Sequence, residues 1–160
     1  MSRSIRLGIA LLLVLSGCGF HMQGAFTVPE GMERTYIASE DSYSLFYREL
    51  QRSLLENGMT LVDTPTAATA VLAIHIDKTD QRVLSVSARN VPTEYEVYYS
   101  IEYSVESGEE NLLSRQFINL TRDYTYDETL VLGKAKEETL LREAIVDDLV
   151  RIVLKQLETL

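Results

Sequence analysis

The sequence predicts an α+β fold: a two-layer sandwich in which a four-stranded mixed sheet carries two helices on one face, in the order βαβββα. Three observations predict it. Glu94 to Glu106 alternates without a break. Tyr95, Val97, Tyr99, Ile101, Tyr103 and Val105 share one face, and the glutamates, serines and Tyr98 share the other, a period that a half-buried strand explains. Two further stretches, Tyr43 to Asn57 and Lys136 to Leu157, repeat apolar residues every three or four positions, as amphipathic helices do. A strand-helix-strand unit ahead of the alternating segment favours a right-handed parallel crossover, and the last three strands favour an antiparallel meander.

Each element has its own warrant. Tyr36-Ile37-Ala38 makes a short first strand between Arg34 and Ser39. Asp41 and Ser42 can cap the helix that follows. In that helix Phe46, Leu50 and Leu54 fall four apart, with Tyr43, Tyr47 and Leu55 beside them, and Gly58 is a good stop. Thr60 to Thr69 is a polar connection containing Pro65. From Ala70 to Lys78, Leu72, Ile74 and Ile76 face one way and Val71, Ala73, His75 and Asp77 the other. That strand runs on through Val83-Leu84-Ser85-Val86. Ser107-Gly108-Glu109-Glu110-Asn111 is a hairpin loop, and Leu112 to Tyr126 is a third long strand with Ile118, Leu120, Tyr124 and Tyr126 on one side. In the last helix Leu141, Ile145, Leu149, Ile152 and Val153 form the apolar stripe. Glu137 and Glu138 sit near its positive end and Arg151 and Lys155 near its negative end, and Asp147 can pair with Arg151. The outer face of the sheet, with its glutamates, serines and Tyr98, is either wet or pressed against a polar partner.

The N-terminus reads as a secretory signal over residues 1–17. Arg3 and Arg6 precede an apolar run from Leu7 to Leu15, and small residues follow at Ser16 and Gly17. A nine-residue helix rises about 14 Å, too little to cross a hydrocarbon core of about 30 Å. Leu15-Ser16-Gly17-Cys18 resembles the lipobox of bacterial lipoproteins, in which the cysteine is acylated and becomes the first residue of the mature chain. Cys18 is the only cysteine, so it has no disulfide partner within the chain. Gly19, rather than aspartate, follows it, which resembles the outer-membrane default. Residues 18–33 read as a lipidated tether and 34–160 as a single domain, a length that can bury a proper core.

Composition narrows the function. After residue 17 the chain holds 13 lysines and arginines against 24 acidic residues, a formal charge of −11. A nucleic-acid binder would carry a basic footprint, and a protein that grips anionic headgroups broadly would do so too. His21 and His75 are isolated and make no zinc site. The sequence holds no nucleophile elbow and no phosphate-binding glycine loop, and it points to no cofactor and no enzyme. The scarce cations that stand in connections are Arg89, in Ala88-Arg89-Asn90-Val91-Pro92-Thr93, and Lys134, in Gly133-Lys134-Ala135 between the last strand and the long helix. In the proposed meander both can lie at one end of the sheet.

At Cys18-Gly19-Phe20-His21-Met22-Gln23-Gly24 the chain resembles the LptE (RlpB) family of lipopolysaccharide-assembly lipoproteins. The similarity continues through Arg89-Asn90-Val91-Pro92-Thr93-Glu94-Tyr95 and Leu132-Gly133-Lys134 into the last helix. Phe20 and Gln23 depart from the family, where a tryptophan and an arginine are common. The resemblance implies an outer-membrane lipoprotein that plugs the lumen of the LptD barrel, helps that barrel fold, and binds lipopolysaccharide on its way to the cell surface. It also implies that Arg89 and Lys134 are the basic positions for that ligand, whose phosphates suit charge-assisted contacts. A polar sheet face fits a polar barrel lumen. The competing readings are a scaffold lipoprotein of the barrel-assembly machinery with no lipid ligand, and an envelope enzyme or its inhibitor.

Overall fold

The computed structural model describes residues 26–126 and 131–160, with the backbone alone for 131–134. Cys18 and the rest of the expected signal and lipobox lie outside the described residues. The elements are β1 (Arg34–Ala38), α1 (Leu45–Glu56), β2 (Thr60–Leu61), β3 (Ala70–Val86), β4 (Pro92–Ser107), β5 (Glu110–Thr125) and α2 (Val131–Leu157). They build one mixed sheet of five strands in the order β2-β1-β3-β4-β5. β1 runs parallel to β2 and β3, and β3, β4 and β5 form the expected antiparallel meander. The expected α+β architecture holds, with one strand more than the four expected. The addition, β2, is two residues long, too short to show a period, and forms the edge beside β1.

The two layers meet in one core. α1 contributes Phe46, Leu50 and Leu54, and α2 contributes the stripe from Ile145 through Leu149 and Val153 to Leu157. The alternating face of β4 lies between them: Val97, Tyr99, Ile101, Tyr103 and Val105 are all buried. α1 begins two residues later than Tyr43. Its N-cap is Ser44, whose hydroxyl accepts from the Tyr47 amide at 2.9 Å, in place of Asp41 or Ser42. Tyr43 is left 86% exposed and Leu55 falls on the wet side. The helix stops at Gly58, whose φ of +85° suits glycine. In α2 it is Asp148 that pairs with Arg151, and it pairs with Arg122 of β5 as well, so the expected Asp147 pair does not form. The end of the stretch read as a tether is packed rather than loose, since Met32 is fully buried and its carbonyl accepts from the Thr35 hydroxyl at 3.0 Å.

One irregularity reorganises β3. Ile74 lies opposite Tyr103 and Ile76 opposite Glu102, so two steps on β3 match one on β4. The extra residue is a β-bulge, and it exchanges the two faces of everything beyond it. Ile76, expected to share the inner face with Leu72 and Ile74, joins the outer face. Asp77, expected outside, lies opposite the buried Ile101 on the inner face, and Thr79 and Gln81 follow it there opposite Tyr99 and Val97. His75 stays exposed on the outer face, with Nε2 2.8 Å from Ser104 Oγ.

The inward turn of Asp77 ties the layers together. Its carboxylate accepts from the Ser44 hydroxyl and from Tyr99 Oη, the latter at 2.6 Å. Tyr99 Oη in turn accepts from the Phe46 amide at 3.3 Å. The first amides of α1 therefore reach one carboxylate through two hydroxyls, which suits the positive end of a helix. Burial, and next the hydrogen bond to Asp77, holds the Tyr99 phenol well above the usual tyrosine range. Burial alone does the same for Tyr103, whose hydroxyl donates to Gln156 of α2.

Candidate functional site

β3, β4 and β5 are 17, 16 and 16 residues long, whereas β1 has five. β1 pairs with β3 only as far as Ala73. Beyond it the meander continues as a three-stranded blade. The polar outer face of the blade is laced by cross-strand contacts: Arg115 with Glu102 at 2.9 Å, Asn119 with Ser100 at 2.7 Å, and Arg82 with Glu96 at 2.5 Å. On the inner face Arg142 of α2 donates to Thr79 Oγ1 at 2.9 Å and to Glu138 at 2.6 Å. These charges satisfy one another.

The blade ends in the β3–β4 turn, Ser87 to Val91. The Ser87 amide donates to the Val91 carbonyl and the Asn90 amide to the Ser87 carbonyl, both at 2.8 Å. Asn90 sits at φ +60°, a conformation that asparagine tolerates better than most residues. The tight turn presents Arg89 to solvent. Unlike Arg82, Arg115, Arg122 and Arg142, Arg89 has no ion-pair or hydrogen-bond partner among the described residues. Directly before it stand Val83, Leu84 and Val86, 46%, 45% and 53% exposed. An unpaired guanidinium thus adjoins aliphatic surface. This apolar flank is not legible in the sequence, because the alternation of β3 promises burial on one side.

The end of β5 comes to the same place. Glu94 lies opposite Thr125, and the Tyr126 amide donates to the Thr93 carbonyl at 2.8 Å. Tyr95 stacks on Tyr124 at 5.7 Å and meets Tyr126 edge-on at 5.3 Å, so three rings stiffen the base of the tip. α2 starts at Val131, five residues past Tyr126. The end of β5 therefore lies at the same end of the sheet as the β3–β4 turn, while the link from Tyr126 to α2 falls on 127–130, outside the described residues. Lys134, however, lies in the first turn of α2 rather than in a loop. The helix starts five residues before Lys136 because only Gly133 opposes it, at a cost of about 1 kcal/mol relative to alanine. Among the described residues no group of histidine, cysteine and carboxylates is placed to hold a metal.

The domain thus combines a long, polar blade, cross-linked by ion pairs, with one charged, apolar-flanked tip, an architecture of the kind that assembly lipoproteins share. The model of the LptE family, described as lipopolysaccharide-assembly, matches residues 32–157, and the chain belongs to that family. It is 25% identical over 152 residues to the LPS-assembly lipoprotein LptE of Yersinia enterocolitica, covering 94% of this chain and 72% of that one. Among solved structures, the lipoprotein B of Nitrosomonas europaea is similar with a TM-score of 0.73 and 26% identity, over 88% of this chain and 90% of that one. The rare lipoprotein B of Shewanella oneidensis shares the fold with a TM-score of 0.68 at 24% identity, over 79% and 94%.

Proposed function

We propose that this chain is the plug and folding partner of the LptD barrel, anchored to the outer membrane through lipid on Cys18, and that it binds lipopolysaccharide at the blade tip. The observation that carries the ligand reading is the tip itself. Lipopolysaccharide joins phosphates to acyl chains, and the tip joins an unpaired guanidinium to exposed Val83, Leu84 and Val86 in a chain that is otherwise acidic. Arg89 contributes a planar fork for phosphate oxygens. Lys134, in the first turn of α2, adds a point charge at the positive end of that helix. The outer face of the blade supports the plug reading: it is polar, and Arg82–Glu96 and Arg115–Glu102 are paired across it, which suits a polar lumen. Membership of a lipopolysaccharide-assembly family supports both.

The test uses the full-length lipoprotein carrying Arg89→Asp and Lys134→Asp. Lipopolysaccharide capture should fall by at least about tenfold, because two charge-assisted contacts become repulsive. The loss should shrink as salt is raised. Co-purification with LptD from solubilised outer membrane should persist, since a plug uses a much wider surface. Undiminished capture would remove Arg89 and Lys134 from the site. Recovery of barrel-assembly subunits in place of LptD would replace the plug reading with the scaffold reading.

A further inference from the structure

β1 lies at the opposite end of the domain from Arg89. It pairs with the start of β3, from Ala70 to Ala73, whereas Arg89 follows the end of β3. On its other side β2 pairs only with Arg34 and Thr35. The Thr35 carbonyl accepts from the Val62 amide at 3.0 Å, so the peptide groups of Ile37, two residues on, face the same way. Among the described residues no strand meets them there. Beside them a cavity of about 290 Å³ opens between this edge, α1 and the chain leaving β2.

The lining is polar and unspent. Tyr36 of β1, Ser42 ahead of α1, Tyr47 and Gln51 of α1, and Asp63 after β2 all reach the cavity. Elsewhere the protein closes such groups on one another, as Tyr99 does with Asp77 and Tyr124 with Gln81. None of these five side chains has a hydrogen-bond, ion-pair or ring partner among the described residues. Tyr36, Tyr47 and Gln51 are half-buried, so their polar ends are held in place rather than waving in solvent. Burial, and next the nearby Tyr36 and Asp63, raises the Tyr47 phenol above the usual tyrosine range and keeps its hydroxyl a donor.

The lining selects the chemistry of its ligand. Ligand pockets run from about 300 to 1,000 Å³, so this one has room for a single small molecule. No lysine or arginine lines it and Asp63 does, which excludes an anion. One carboxylate is too few ligands for a metal ion. Hydroxyls, an amide and a carboxylate without partners suit no hydrocarbon. A neutral ring with hydroxyls on its rim remains. Three hydroxyls and the Gln51 amide both donate and accept, Asp63 accepts, and the Ile37 peptide groups supply one more of each. The negative faces of the tyrosine rings suit the C–H face of a pyranose. We propose that the cleft between the β1 edge, α1 and Asp63 binds one hexopyranose unit. It lies off the blade and away from the tip, so this assignment stands apart from the plug reading and from Arg89 and Lys134. The sugar belongs either to the saccharide of lipopolysaccharide or to a free sugar of the envelope.

The experiment uses the full-length lipoprotein in a detergent without a sugar headgroup. D-glucose, D-galactose and N-acetylglucosamine are offered singly, and saturation-transfer NMR reads magnetisation passing from the protein to the sugar C–H protons. At least one should bind with a dissociation constant on the order of 1 mM, as a single small polar ligand does. Asp63→Ala should weaken it by at least about tenfold and Tyr47→Phe by about fivefold, since one removes a charged acceptor and the other a single hydroxyl. Arg52→Ala, an exposed change on α1 outside the cavity, should leave binding as it is. The lipid-free saccharide of lipopolysaccharide is then added as competitor. Displacement of the bound sugar at lower concentration than the free sugar needs supports the site and assigns it to that saccharide. Displacement by free sugars alone supports the site and assigns it to a soluble sugar. No transfer to any of the three sugars, or equal transfer in Asp63→Ala and Tyr47→Phe, would overturn the proposal, whatever becomes of lipopolysaccharide capture at the tip.

Discussion

Asp77→Ala removes the acceptor at which two hydroxyls end. Ser44 caps α1 and donates to one carboxylate oxygen, and Tyr99 donates to the other at 2.6 Å. A hydrogen bond to a charged group contributes about 1.5–3 kcal/mol, and leaving the hydroxyl of a buried tyrosine without an acceptor adds to the loss. Tyr99 is 2% exposed, so water cannot easily replace the carboxylate there, whereas Ser44 is half-buried and recovers part of its bond from water. The net expectation is a loss of about 2–4 kcal/mol. For a domain of this size that lowers the melting temperature by about 5–15 °C. Asp77→Asn keeps an acceptor for one hydroxyl and should cost about half as much. In Asp77→Ala/Tyr99→Phe the orphaned hydroxyl is gone, so the double variant should be less damaged than the sum of the singles. Thermal and urea unfolding of residues 19–160 measures all four. A shift below about 2 °C for Asp77→Ala would show that the inward turn of Asp77 is incidental to stability.

Leu149→Asp buries a carboxylate on the fully covered stripe of α2 and should cost about 3–5 kcal/mol or abolish folding; unchanged unfolding would show that this face is not the core. The phenols of Tyr99 and Tyr103 are held above their ordinary value in the folded chain, so their contribution is complete below about pH 10, where the unfolded chain also keeps them protonated, and is lost as pH climbs above it. Stability measured from pH 8 to 12 should bend downward past pH 10, and Tyr103→Phe should flatten the bend. Cys18→Ala should abolish metabolic labelling by fatty acid and leave unprocessed precursor; persistent labelling would remove the lipobox.

How much of this was legible in the sequence depended on how regular each segment is. The faces of β4 follow from its alternation, because the strand runs between β3 and β5 and its apolar face is buried, although Glu96 and Ser104 of the other face are covered too. The stripe of α2 is equally plain from Ile145 to Leu157. β3 departs from its own alternation. A period of two carried forward from Leu72 and Ile74 puts Asp77 outside, but a bulge adds one residue and reverses the parity. The polar run Asp77-Lys78-Thr79-Asp80-Gln81-Arg82 has no apolar parity of its own to announce the reversal. The position of the Arg89 turn was legible from Asn90 and Pro92 and from the strands around it. Its aliphatic flank was not, because Val83, Leu84 and Val86 look like core residues until the blade is seen to outrun the helices. The start of α2 was missed because Gly133 reads as a break, while a long helix anchored by packing absorbs the penalty of one glycine.

The unequal lengths of the strands also set a distance. Sixteen residues of antiparallel strand extend about 50 Å. The described N-terminal segment joins the sheet at one end of that span, where a Cβ on Gly31 would lie 3.3 Å from Ser107 Oγ, and Arg89 stands at the other. The apolar band of an outer-membrane barrel is only about 25 Å tall. The domain is therefore a spacer as well as a surface. On the proposed reading, with lipid on Cys18, the anchored end and the charged tip are held farther apart than that band is tall, and shortening β3, β4 and β5 by matched residues would draw them together without touching either end.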